Sequence, residues 1–299
     1  MEHGEFGKLV EPYRRELRAH CYRMSGSLHD ADDLLQESLL RAWRGIDGFE
    51  GRASLRTWLY KVTTHACLDK LGARGPRLLP TDMGPASDPE AVGAPIEEAA
   101  FVEPCPAELY ERREAITLAF VVALELLTPK QRAALILHDV VGMEAKECAE
   151  LLGVSVAAVN SALQRAREVL ATRHVVPPAR DPAQDAVLAR YVDAWQRADA
   201  GALVALLRDD AVLAMPPIRE WLRGASAIGR SIEHMVFAAG PVFRLVPSEA
   251  NGLPAFAAYA GGRPMAIHVV EVRGGAIAEI TAFLLPELFA KFGMPTALD

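Results

Sequence analysis

The stretch LTPKQRAALILHDVVGMEAKECAELLGVSVAAVNSALQRAR, residues 127–167, decides how this chain is read. Thr128 followed by Pro129 marks a helix start, because proline lacks only an N–H that a first turn leaves unpaired anyway. Gly142 ends that helix, and Glu144 to Leu152 predicts a second with Cys148, Ala149 and Leu152 turned inward. Gly153 makes the turn and Ser155 caps a third helix. In it Val159, Leu163, Ala166 and Leu170 form one dry stripe. Ser155, Ala157, Asn160, Ser161, Gln164, Arg165 and Arg167 are left outside it. Amides, hydroxyls and guanidinium forks on the wet side suit base edges and phosphates, so the segment predicts a helix-turn-helix that reads DNA. A plain helical hairpin with a solvated face has the same periodicity.

The chain has 299 residues, about two domains' worth, and 51% apolar residues, ample for packed cores. No run of about 18 apolar residues suggests a membrane span. Met1 to Phe6 has no basic patch followed by an apolar stretch, so no signal peptide is expected and the chain is placed in the cytoplasm. Cys21, Cys67, Cys105 and Cys148 stand singly, which implies reduced thiols and neither metal nor cofactor. The net charge of −7 is unusual for a DNA binder until it is divided along the chain. Residues 76–111 hold one cation, Arg77, against eight carboxylates, together with seven prolines. That composition predicts an extended, self-repelling linker. The flanking parts are nearly neutral, so unassisted DNA binding should be weak and a larger partner should supply affinity.

Before the linker, Phe6, Val10, Tyr13, Leu17 and Met24 predict an amphipathic first helix. Asp30-Ala-Asp-Asp-Leu-Leu-Gln-Glu opens a second with three carboxylates where the helix dipole favours them. A third begins at Ser54, with Leu55, Leu59, Val62 and Ala66 on one stripe and Ser54, Trp58, Lys61 and His65 to its side. An aromatic beside hydroxyl and cationic groups can stack on unpaired bases while holding phosphates. Trp58 at the edge of a core and Lys61 in water would produce the same spacing.

These motifs carry a resemblance. Asp30 to Glu37, then Phe49-Glu-Gly-Arg-Ala-Ser-Leu-Arg-Thr-Trp-Leu-Tyr-Lys-Val, then Ala66-Cys-Leu-Asp69, and the helix-turn-helix ending at Arg167 are similar to an extracytoplasmic-function sigma factor of bacterial RNA polymerase. The resemblance implies that Asp32, Asp33, Gln36 and Glu37 dock on the clamp of core polymerase, and that the helix-turn-helix module works against the flap. It implies that the segment carrying Phe49, Arg52, Ser54, Arg56, Trp58, Lys61 and His65 opens and reads the −10 element. It implies further that Ser155, Ala157, Asn160, Ser161, Gln164, Arg165 and Arg167 read the −35 element. His65 departs from the pattern, since relatives commonly carry Asn there, and His donates and accepts differently.

Within the linker, Phe101-Val-Glu-Pro-Cys-Pro106 is an apolar pair among prolines, a plausible docking peptide. Phe101, Val102 and Pro104 resemble a short motif of sigma factors that carry an extra C-terminal domain, where Trp is the more usual first residue. Such a domain follows residues 176–182. Residues 184–197 and 199–207 predict helices, Leu213 to Pro216 a short strand, Gly224 to Phe237 a helix, and then four strands split by Asn251-Gly252, Gly261-Gly262 and Gly274-Gly275. Helices followed by an antiparallel meander resemble the cone-shaped SnoaL-like fold. His268 and Glu279 could meet on adjacent strands, and Trp195, Met215, Trp221, Tyr259 and His268 are candidate lining for a pocket holding an unknown small ligand.

The expected architecture is multidomain: two all-α sigma modules, a region 2 helical bundle (1–75) and a region 4 helix-turn-helix (112–176), joined by an acidic linker (76–111), plus a C-terminal α+β SnoaL-like cone (183–299). The expected function is that of a non-enzymatic sigma factor for promoter recognition and transcription initiation, regulated in cis by the C-terminal domain. Two other readings fit parts of the chain: a ligand-responsive helix-turn-helix regulator that never joins polymerase, and a SnoaL-like isomerase or cyclase with an accessory DNA module.

Overall fold

The computed structural model describes residues 3–72, 75–96, 101–109, 117–171, 181–240 and 242–298. The expected boundary at 176–182 lies largely outside them. The chain folds into two compact units, one of residues 1–77 with 107–176, the other of residues 78–106 with 177–299.

In the first unit the expected single N-terminal helix is two, α1 (His3–Val10) and α2 (Arg14–Ser25), separated by a 3-10 turn at Glu11–Tyr13. Pro12 sits in that turn and has no N–H to continue the ladder. Gly26, in the left-handed region at φ 66°, ends α2. Ser27 then accepts from the Asp30 amide at 3.1 Å and starts α3 (Leu28–Gly45), a turn before the acidic run. Ser54 caps α4 (Leu55–Leu71) through the Thr57 amide at 3.0 Å. Leu17, Met24, Leu28, Leu34 and Leu59 are fully buried among these helices.

Region 4 opens with a helix that periodicity did not reveal, α5 (Leu118–Glu125). It is apolar nearly all round and buried on every side, so it shows no amphipathic rhythm. α6 (Pro129–Leu135) follows behind a capping box of Thr128 and Gln131, and its last turn widens to a π turn at Ile136–Val140. α7 (Ala145–Leu152) buries Cys148, Ala149 and Leu151, so the inward leucine is Leu151 rather than Leu152. α8 (Val156–Ala171) buries Val159, Leu163 and Ala166.

In the second unit α9 (Gln184–Gln196) and α10 (Ala200–Val204) precede β1 (Leu207–Ala214) and β2 (Trp221–Arg223). The second predicted helix is therefore shorter than expected, and its last residue already belongs to a strand. α11 (Ala225–Met235) leads into β3 (Phe243–Ala250), β4 (Leu253–Ala260), β5 (Arg263–Arg273) and β6 (Ala276–Phe283), with α12 (Leu288–Lys291) behind. The sheet order is β2-β1-β6-β5-β4-β3, antiparallel except between β1 and β6. At Asn251-Gly252 and Gly274-Gly275 both residues of the pair have positive φ, the geometry a tight hairpin demands. Tyr191, Trp195, Ile228, Phe243, Phe256, Val270 and Ile280 form the core between helices and sheet. This is the curved, helix-filled sheet of the SnoaL-like fold.

The acidic segment differs from the expected free spacer, because residues 78–106 are part of the second unit. Next to the edge strand β2, the Ser87 amide donates to the Trp221 carbonyl at 2.8 Å and the Trp221 indole to the Gly84 carbonyl at 2.9 Å. Next to the other edge strand, β3, Cys105 and Asn251 exchange two bonds of 2.7 and 2.9 Å. Phe101, Val102 and Pro104 are buried, and Phe101 bridges to Leu78. Charge repulsion is outweighed because edge strands present unpaired backbone groups, and a proline-rich chain loses little conformational freedom on docking there.

Candidate nucleic-acid interface

The exposed side of α8 is built by the burial of its other side. Ser155 caps it by accepting from the Ala158 amide at 3.1 Å. Ala157, Asn160, Gln164, Arg165 and Arg167 are exposed and Ser161 is half-buried. Gln164 donates to Glu168 at 3.2 Å. Arg167 donates to both oxygens of Asp139, at 3.1 and 2.6 Å, and Asp139 also accepts from His138 Nδ1 at 2.7 Å. Burial alone would raise the Asp139 carboxyl, but the bonds from Arg167 and His138 hold it below its ordinary value. Arg165 therefore reaches outward with more freedom than Arg167.

On region 2, Phe49 and Trp58 meet with ring centroids 5.2 Å apart, both half-buried, and Lys61 is exposed one turn further along α4. Arg52 pairs with Glu50 at 2.5 Å. Arg56 is taken up by the fold: it binds Glu16 at 2.7 Å and lies over the Tyr60 ring, 5.0 Å from its centroid. His65 donates from Nε2 to the Leu151 carbonyl at 2.9 Å. Phe49, Arg52, Ser54, Trp58 and Lys61 line a cleft of about 770 Å³ whose far wall is Glu147, Glu150 and Leu151 of α7.

The acidic face of α3 is a lattice of ion pairs. Asp32 accepts from Arg18 at 2.5 and 3.2 Å, Asp33 pairs with Lys70 at 3.4 Å, and Glu37 with Arg41 at 2.7 Å. Gln36 opens instead into a groove of about 710 Å³ between α1, α2 and α3, beside Arg14, Arg15 and Arg18. Leu40 and Trp43, on the same groove, are each 36% exposed. The sequence reading missed these arginines and apolar residues; their signal was the second face of α2 and α3, opposite the stripe that fills the core.

In the second unit the five candidate pocket residues do not share one cavity. His268 is buried, its Nδ1 sharing a 2.9 Å hydrogen bond with the Tyr191 hydroxyl and its ring 4.8 Å from that of Trp195. Burial pushes its pKa down to about 3. Met215 is half-buried against the same core. Tyr259 lies on the opposite sheet face, against Phe289, and donates to the Pro295 carbonyl at 2.8 Å. Trp221 is engaged with Gly84. His268 and Glu279 do not meet either: His268 stands opposite Ala282, whereas Glu279 stands opposite Glu271 with the other alternation of the pleat. Burial, then the Glu271 charge, raises the Glu279 carboxyl. Among the described residues no group of three His, Cys, Asp or Glu side chains is arranged to hold a metal.

With this geometry in hand the relatives can be placed. Residues 9–76 match the family model Sigma-70 region 2, and residues 117–170 match Sigma-70, region 4. The chain is 44% identical to the ECF RNA polymerase sigma factor SigG of Mycobacterium tuberculosis (strain H37Rv), over 99% of this chain and 85% of that protein. It is 30% identical to the ECF RNA polymerase sigma factor SigJ of the same strain, over 97% and 93%. The crystal structure of Mycobacterium tuberculosis SigJ superposes with a TM-score of 0.66 at 26% identity, covering 97% of this chain and 99% of that one. Helical region 2, helix-turn-helix region 4 and a C-terminal SnoaL-like domain define a class of multidomain initiation factor. The chain belongs to the extracytoplasmic-function (ECF) RNA polymerase sigma factors.

Proposed function

We propose that this sigma factor joins core RNA polymerase through the groove beside Gln36 on the α3 face, toward the clamp, with region 4 on the flap. The observation that carries the reading is the groove itself. Exposed Leu40 and Trp43 beside Gln36 and three arginines form a mixed apolar and cationic surface of the kind that docks another protein. Phe49, Trp58 and Lys61 then receive unstacked −10 bases, and the outer face of α8 enters the −35 major groove. Such a factor works in the cytoplasm; no helix among the described residues is long and apolar enough to cross a membrane.

The C-terminal domain acts on the factor in cis by holding residues 78–106, within the segment that joins regions 2 and 4. Buried Phe101 and Val102 and the two sheet-edge contacts support this reading. On this reading the domain regulates rather than turns over a substrate; His268 is enclosed in its core and taken up by a hydrogen bond with the Tyr191 hydroxyl. Co-purification with core polymerase tests the docking surface: Asp33→Arg with Gln36→Ala should abolish it while helicity is retained, and unchanged core binding would remove this reading of α3.

A further inference from the structure

Arg167 is a long side chain held in one pose. Its Nε and Nη2 donate to the two oxygens of Asp139, and the oxygen that takes Nη2 also meets His138 Nδ1 at 2.7 Å. Asp139 and His138 belong to the π turn at the end of α6, and α6 packs on α8, so the carboxylate comes from a neighbouring helix. As a stabilising contact the pair is weak. Both side chains reach water, at 54% and 32% exposure, and ion pairs in that setting add little to folding. What the pair fixes is orientation. A guanidinium is a planar fork, and pairing through Nε and Nη2 uses one of its edges. The other edge carries one N–H from each Nη, a parallel pair that fits two oxygens of a phosphate. Arg167 shares a hollow of about 550 Å³ on the outer side of α8 with Asn160, Gln164 and Glu168, the last engaged by Gln164.

We propose that Asp139 is a positioning residue for promoter binding: it holds Arg167 so that the outer Nη1–Nη2 edge meets a phosphate of the −35 DNA, with His138 bracing the carboxylate. The inference rests on the assignment of α8 to the −35 element. It predicts an effect opposite to that of simple charge. Asp139 is an anion beside the surface that receives a polyanion, and the bonds from Arg167 and His138 hold its carboxyl below the ordinary value, so it is ionised at neutral pH. By Coulomb repulsion alone, its removal should tighten DNA binding. Removal of a positioning group should weaken it instead, because a long flexible side chain must then be ordered at the moment of contact.

The test uses full-length chain reconstituted with core polymerase and a labelled promoter duplex that the wild-type holoenzyme has selected from random-sequence DNA. Affinity is measured over a series of salt concentrations. Asp139→Ala should bind about three- to ten-fold more weakly than the wild type, the size expected for losing the order of one long side chain. The salt slope should fall by about one, as for a lost phosphate contact. Asp139→Asn, which keeps the volume and one acceptor, should move both readings the same way by less. In the Arg167→Ala background Asp139→Ala should change neither reading, since a positioning group has nothing left to position. A carboxylate that only tied α8 to α6 would still weaken binding in that background, and that outcome would overturn the proposal. If Asp139→Ala leaves binding unchanged or tightens it while Arg167→Ala weakens it, α8 keeps its assignment and the positioning role of Asp139 is wrong. If neither Arg165→Ala nor Arg167→Ala weakens binding, the assignment of α8 to DNA fails, and the role of Asp139 falls with it.

Discussion

At the scale of single residues, the two arginines near the end of α8 are held differently. Arg165 is exposed, whereas Arg167 is anchored by Asp139 through two bonds. Arg165→Ala should cost about 1–3 kcal/mol of promoter affinity and relax preference at one −35 position, read by binding to promoters varied at single bases. Arg167→Ala should weaken all promoters alike and reduce the salt slope by about one; a sequence-specific loss would show that it touches a base. Buried histidines set a pH response. His268 falls to about 3 in the fold while its unfolded counterpart titrates near 6.5, so the unfolded chain takes up a proton first on acidification. Its neutral burial stabilises the domain above about pH 6.5, and that contribution is lost progressively between about 6.5 and 3. Urea melts of the chain at pH 7 and pH 5 should show lower stability at pH 5, and His268→Gln should flatten the difference in the C-terminal transition. His20, also held near 3 by burial and then by Arg23, gives the first unit a response of the same sign.

At the scale of elements, helices whose two faces differ were legible and helices without that difference were not. α8 followed from its stripe, its cap and its outward polar residues. α5 did not, because burial on all sides leaves no contrast to read. Its only charge inside the core, Glu125, makes sense only beside Arg132, seven residues on, which points back at it from α6. Removing one member leaves the other buried and unpaired. Glu125→Ala should therefore cost about 3–5 kcal/mol, measured by chemical denaturation. Replacing both by apolar residues of similar volume should cost far less, because neither desolvated charge then remains.

At the scale of the whole molecule, the −7 segment changes its meaning. Composition alone describes an extended spacer, and the fold makes part of it a component of the C-terminal unit. Phe101→Ala should loosen residues 78–106 from that unit, seen as faster Glu-C cleavage within the segment, since truncating a buried Phe costs about 3–5 kcal/mol at its site. The same substitution, and removal of the chain beyond about residue 182, should shift output from the factor's own promoter in one common direction. If transcription and core affinity stay unaltered in both, the segment is held for stability alone and the regulatory role fails.

The sequence by itself determined the local matters: which residues cap helices, where paired positive φ values turn the strands of the meander, and which polar residues α8 leaves on its outer side. Those depend on neighbours within a few positions, so their physics is written in spacing and residue type. Tertiary structure alone decided that Arg56 serves Glu16 and Tyr60, that Tyr259 leaves the interior of the cone, and that Glu150 faces the Trp58 surface. Each of these pairs lies far apart along the chain or on opposite sides of one sheet. No local pattern encodes such a meeting; it exists only once burial of the apolar stripes has brought the helices and strands together.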